Sequence, residues 1–164
     1  VFGGLRRAEI AGLDLADYRA DDGAVTVLGK GNKRRVVYVA PGVDDALADW
    51  LHLRGSEDGP LFLQINRGGR ILQGGISDDA IYGIVQRVAK RAGVKRFSPH
   101  DLRRTFAGDM LDAGADIATV QKLMGHSSVE TTGRYDRRGE RAKKDAIGRL
   151  HMPYQRRYED LSKS

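Results

Sequence analysis

Between residues 98 and 127 the chain carries three helix starts in close succession. Ser98-Pro99-His100-Asp101 opens the first, with serine at the cap, proline at the first helical position and an aspartate where a capping box usually has glutamate. Gly114 stops that helix, Asp116 opens the next, and Gly125 stops it in turn. Ser127 and Glu130 form a further capping box, opening a short helix that carries Tyr135. Punctuation this dense leaves room only for short helices packed on one another.

Upstream the pattern switches to period two. The β-branched runs Ala24–Leu28 and Arg35–Val39 flank Gly29-Lys30-Gly31-Asn32-Lys33, which predicts a β-hairpin with a basic tip. Residues 4–13 read as the end of a helix, with Leu5, Ile10 and Leu13 on its apolar side and Arg6 and Glu9 three apart on another. Pro41 suits the start of a helix carrying Val43, Ala46, Leu47, Trp50, Leu51 and Leu53 inward as far as Gly55. Residues 55–75 are glycine-rich and read mostly as loop, with Leu61–Ile65 a short strand. Ile76–Ala92 is a helix by its apolar spacing at Ile76, Ala80, Ile81, Ile84, Val85 and Val88. Residues 139–150 read as helical and 151–164 as a polar tail. The expected fold class is α+β: a mainly helical domain with a small antiparallel sheet or hairpin.

Composition narrows the function. The 164 residues hold no cysteine, which excludes a disulfide scaffold, thiolate-bound zinc and a thiol nucleophile together. Four histidines and no carboxylate cluster at ligand spacing imply no metal and no cofactor. No apolar run approaches the roughly 18 residues of a membrane span. Val1–Arg7 resembles neither a signal nor a transit peptide, so the expected setting is the cytoplasm. The net charge of +6 suits a polyanionic partner, and its placement is uneven. Residues 1–60 hold 8 Lys/Arg against 10 Asp/Glu, and residues 61–164 hold 20 against 12.

Two segments carry chemistry. His100 and Arg103 stand three apart at a helix start, beside free backbone N–H groups and the positive dipole end, a site that fits a phosphodiester. Gly125 ends a helix, His126 sits in the turn, and Tyr135 follows. A tyrosine hydroxyl can attack phosphorus if arginines neutralise the phosphate and a neighbouring group accepts the proton. Of the other tyrosines, packing in strand or helix accounts for Tyr18, Tyr38 and Tyr82, and Tyr154 and Tyr158 lie in the tail.

In combination these segments resemble the tyrosine recombinases, the family of phage integrases and Xer-type recombinases, from Gly4 to about Leu150. Gly4-Leu5-Arg6-Arg7-Ala8-Glu9 resembles the segment that supplies a first catalytic arginine and a supporting acid. Gly29-Lys30-Gly31-Asn32 resembles the hairpin that supplies a catalytic lysine, and His100-Asp101-Leu102-Arg103 the family's His-x-x-Arg box. Gly125-His126, followed by Tyr135, is similar to the last histidine and the nucleophile.

The resemblance implies that Arg6 and Arg103 clamp the scissile phosphate while Tyr135 attacks it, leaving a 3′-phosphotyrosyl link and a free 5′-hydroxyl. It implies Lys30 as general acid, His100 exchanging a proton with Tyr135, His126 donating a hydrogen bond to phosphate, and Glu9 orienting a neighbour. Lys33, Arg34 and Arg104 become further DNA contacts, and Arg7 a second-line one. The implied partner is double-stranded DNA, bound by a homotetramer, with no membrane. Residues 1–150 are then a catalytic domain. The chain opens without methionine inside an amphipathic pattern, so it reads as a piece of a longer protein without its core-binding domain. A catalytically inactive DNA-binding relative and a nicking-type topoisomerase stand as alternatives.

Overall fold

The computed structural model describes residues 4–29, 31–40, 42–95, 97–126, 132–133 and 136. Helix α1 (Arg7–Ala11) has Arg6 at its N-cap. The expectation of a helix ending over 4–13 is thereby corrected, since Arg6 begins a helix instead of closing one. Gly4 is the reason. Its φ is +68°, and a Cβ there would lie 2.5 Å from the Phe106 ring, so the chain turns sharply before it becomes helical.

Strands β1 (Tyr18–Arg19), β2 (Ala24–Leu28) and β3 (Arg34–Tyr38) form an antiparallel meander, with Val25 opposite Val37 and Val27 opposite Arg35. The Gly29 N–H donates to the Lys33 carbonyl at 2.8 Å and closes the tip of the expected hairpin. Lys30 lies outside the described residues.

Helix α2 (Val43–Arg54) buries Leu47 and packs Val43 and Leu51 on the sheet. Leu53 is 68% exposed and Ala46 is exposed too, contrary to expectation. The next inward position after Leu47 and Leu51 belongs to Arg54, one residue further round. Its buried guanidinium donates to the carbonyls of Gly55, Glu57 and Pro60 and ties down the loop after the helix. That loop then enters a second hairpin, β4 (Leu63–Ile65) with β5 (Ile71–Gly75), where only one short strand was expected. Its turn is built by Asn66, whose Oδ1 accepts from the N–H groups of Gly68 and Arg70, both at 3.0 Å.

Helix α3 (Asp78–Arg91) starts two residues later than its apolar spacing suggests, because extended Ser77 caps it and its hydroxyl accepts the Ala80 N–H at 3.1 Å, while the Ile76 N–H pairs with the Phe62 carbonyl. Its only buried residue is Ala89, while Ile84 and Val88 face water. Helices α4 (Pro99–Asp112) and α5 (Ile117–Met124) begin and end where their caps place them. Ser98 bonds Asp101 through both its N–H and its hydroxyl, and Asp116 accepts the Thr119 N–H at 2.9 Å.

Two cores result. Leu5, Leu13, Val25, Val27, Val37, Val39 and Leu61 form one under the sheet, and Ala107, Leu111, Val120 and Met124 form the other between α4 and α5. Leu123 packs on the first and Met124 belongs to the second, so the last turn of α5 stands where the two cores meet. Among the described residues no helix is long and apolar enough to cross a membrane.

Candidate active site

The last turn of a helix leaves its final carbonyls without intrahelical donors, at the negative end of the dipole. In α5, Gly125 adopts the left-handed conformation, and the N–H groups of His126 and Gly125 turn back to the carbonyls of Gln121 and Lys122, both at 3.1 Å. The next three carbonyls are each taken by an arginine from a different part of the chain. Leu123 accepts from Arg35 Nε at 2.9 Å, Met124 from Arg103 Nη2 at 3.0 Å, and Gly125 from Arg6 Nη2 at 3.2 Å. The three guanidinium groups are therefore registered to one another by a shared backbone.

Glu9 binds two of them. Its carboxylate accepts from Arg35 Nη1 at 3.0 Å and Nη2 at 2.9 Å, and from Arg6 Nη1 at 2.9 Å and the Arg6 backbone N–H at 2.7 Å. Burial pushes this carboxyl up, but the Arg35 pair and the Arg6 contacts together outweigh it and hold it below the usual carboxylate range. Glu9 is thus a fixed anion that holds the Arg6 and Arg35 guanidinium groups in place.

Arg103 is only 6% exposed. Besides the Met124 carbonyl it donates to the Gly4 carbonyl, which binds the approach of α1 to α4. Its Nη2 also lies 3.3 Å from His126 Nε2, while His126 Nδ1 lies 3.0 Å from Thr132 Oγ1. Burial, then Arg103, Arg6, His100 and Arg35, push the His126 imidazole down to about 4. His126 is neutral at physiological pH and carries one N–H.

Arg6, Glu9, Arg103 and His126 are therefore brought together as expected. His100 is exposed on the first turn of α4, and its charge is felt at His126. Lys33 and Arg34 are exposed at the hairpin, and Arg104 is exposed 4.0 Å from Asp101. Tyr135, like Lys30, lies outside the described residues, as do the expected helix over 139–150 and the tail. Arg7 faces elsewhere: it donates to the Asp78 carbonyl at 3.1 Å and lies 5.3 Å from the centre of the Tyr82 ring, joining α1 to α3. Tyr38 and Tyr82 are exposed, so packing does not account for them as expected.

Two residues of the site escaped the sequence reading. By sequence Arg35 only opens the second β-branched run, although it shares the inward face of β3 with Val37, where a charge demands a buried partner. Thr132 is fully buried against His126, and nothing in its sequence context marks it.

This site can grip an anion between Arg6, Arg103 and His126. Residues 1–141 match the Phage integrase family. The chain belongs to that family. Within it, the chain is 41% identical over 150 residues to the tyrosine recombinase XerC of Corynebacterium glutamicum, covering 90% of this chain and 47% of that protein. To the XerC of Haemophilus ducreyi it is 43% identical over 136 residues, covering 80% and 43%. The chain spans about half the length of the curated relatives it matches. The crystal structure of XerA recombinase superposes with a TM-score of 0.72 at 28% identity, over 92% of this chain and 56% of that one. The XerH site-specific recombinase, in a post-cleavage complex with a palindromic difH substrate, superposes at 0.68 and 27% identity, over 90% and 42%. The mainly helical α+β fold with small antiparallel sheets is the fold of these recombinases.

Proposed function

We propose that residues 1–150 are the catalytic domain of a tyrosine-type site-specific recombinase that cuts and rejoins double-stranded DNA in the cytoplasm. The observation that carries this reading is the convergence of Arg6 and Arg103, from distant parts of the chain, on the end of α5 beside His126. Guanidinium groups held this way present planar donors to the non-bridging oxygens of a phosphodiester and meet the charge that grows as phosphorus becomes pentacoordinate.

In the proposed reaction the Tyr135 hydroxyl oxygen bonds to phosphorus and its proton passes to His100. The bond to the 5′-oxygen breaks, and that oxygen takes a proton from Lys30. The product is a 3′-phosphotyrosyl link, which a second 5′-hydroxyl reverses. His126 contributes as a neutral imidazole. Before phosphate enters, its Nε2 accepts from Arg103 Nη2 and its Nδ1–H donates to the Thr132 hydroxyl. When Arg103 turns onto the phosphate, the Thr132 hydroxyl donates to Nδ1 instead, so that Nε2–H is presented to phosphate. Lys33, Arg34 and Arg104 add contacts to the DNA backbone. DNA is held by a homotetramer whose protomers each add a core-binding domain.

The test is a nicked suicide substrate, on which the full-length protein should form a covalent adduct. Tyr135→Phe should abolish it, and an adduct persisting at the wild-type level would overturn the assignment of the nucleophile.

A further inference from the structure

Arg35 has no part in the reaction as proposed above, yet each nitrogen of its guanidinium is engaged. Its Nη1 and Nη2 fork onto the two oxygens of Glu9 at 3.0 and 2.9 Å, and its Nε donates to the Leu123 carbonyl at 2.9 Å. All three nitrogens bind protein, so the guanidinium is fixed in position and in plane. The side chain springs from β3, where it stands opposite Val27 and shares the inward face with Val37. Its position on the strand is one residue from Arg34, the first residue of β3 after the tip. Where Arg35 is held, the root of the hairpin is held.

We propose that Arg35 is a positioning residue for leaving-group protonation: it locks the root of the β2–β3 hairpin onto Glu9 and the end of α5, so that the tip delivers its general acid to the 5′-oxygen. This rests on reading the site as a phosphodiester-cleaving centre with Lys30 at the tip. Physically, a hairpin tip delivers a proton to the leaving oxygen only if its base is anchored to the groups that hold the phosphate. Glu9 binds Arg35 and Arg6 at once, and α5 carries Arg35, Arg103 and Arg6 on successive carbonyls, so the anchor and the phosphate clamp share one frame. A lysine cannot replace this arginine, because its single nitrogen cannot span Glu9 and Leu123 together.

The test compares two nicked suicide substrates, one ordinary and one with sulfur replacing the bridging 5′-oxygen. In the second, the phosphorus–sulfur bond breaks and a thiolate departs without needing a proton. On the ordinary substrate, Arg35→Ala should slow adduct formation by about a hundredfold or more, the range of a lost general acid. DNA binding should change little, and the sulfur substrate should restore the rate to near that of the unaltered protein. Equal loss on both substrates, or no loss on the ordinary one, overturns the proposal. Should Arg35→Ala not fold, Arg35→Lys keeps the charge and the apolar stem and carries the same comparison. Lys30→Ala separates this proposal from the reading beneath it. If sulfur rescues Lys30→Ala but not Arg35→Ala, only the role of Arg35 falls; if it does not rescue Lys30→Ala, the reading of Lys30 falls, and the proposal with it.

Discussion

At the end of α5 three arginines are drawn onto backbone, while along α3 isoleucine, valine and tyrosine stand in water. Both regions are short helices with good caps and an apolar stripe. They differ in what surrounds them. The end of α5 lies between two cores, and its last carbonyls lack intrahelical donors, so burial there favours any side chain with several N–H groups. At the end of α3 the N–H groups of Gly93 and Val94 return to the Lys90 and Ala89 carbonyls, its outer face meets solvent, and only Ala89 is enclosed. Residue type alone does not decide burial; the unsatisfied groups of the neighbours do.

The sharpest break of that comparison is at Arg103. Replacing it with alanine should reduce cleavage by about 3–4 kcal/mol of transition-state stabilisation, a hundredfold or more in rate. It should also cost about 1–3 kcal/mol of stability for each buried carbonyl left without a donor. DNA binding should fall far less than cleavage, as measured by gel shift beside adduct yield. Equal losses would support a DNA-binding protein without chemistry.

Apolar truncations should separate the regions next. Leu111→Ala, in the core under α5, should cost about 2–5 kcal/mol in denaturant unfolding. Val88→Ala on α3, where the side chain is 58% exposed, should stay within about 0.5 kcal/mol. A large loss at Val88 would show that its face is covered in solution.

Two glycines with nearly the same backbone make a finer contrast. Gly125 has φ +61° and Gly93 has φ +69°, so alanine at either meets a left-handed penalty of about 1–2 kcal/mol. A Cβ at Gly125 would also lie 2.9 Å from the Arg35 guanidinium, whereas nothing lies within 4 Å at Gly93. Gly125→Ala should therefore lose cleavage as well as stability, and Gly93→Ala stability alone.

The last contrast is in acid. The His126 imidazole titrates at about 4 when folded and near 6.5 when unfolded, so below 6.5 the unfolded chain binds a proton that the folded one refuses. Stability should fall as pH drops from 6.5 towards 4, and His126→Gln should remove that part of the slope. Glu9 works in a lower window. Its carboxyl is held below the usual range, so its contribution is intact above the ordinary carboxylate pKa and is lost as pH falls through the folded value. Thermal midpoints of His126→Gln and Glu9→Gln across pH separate the two windows.

Much of the frame was legible because its signals are local. Caps and stops at Ser98, Gly114, Asp116 and Gly125 act through the backbone of their own few residues, and the helices of the site lie where those residues put them. The β2–β3 hairpin was legible from its alternation. The second hairpin was not, since Gly74 and Gly75 give little strand signal and their pairing with β4 is made by tertiary closure. Leu53 was misjudged because one residue further round, Arg54 found three carbonyls to satisfy and took the inward position.

The sequence by itself determined which residues are able to handle a phosphate: arginines, histidines and a tyrosine, placed on elements whose ends it also set. Only the tertiary structure decided where each arginine is held. Arg6, Arg35 and Arg103 are chemically the same, and their partners separate only when three successive carbonyls of one helix end meet three guanidinium groups from distant segments. Orphaned backbone acceptors at a junction of two cores cannot be read from neighbouring residues, because they exist only once those cores have closed around them.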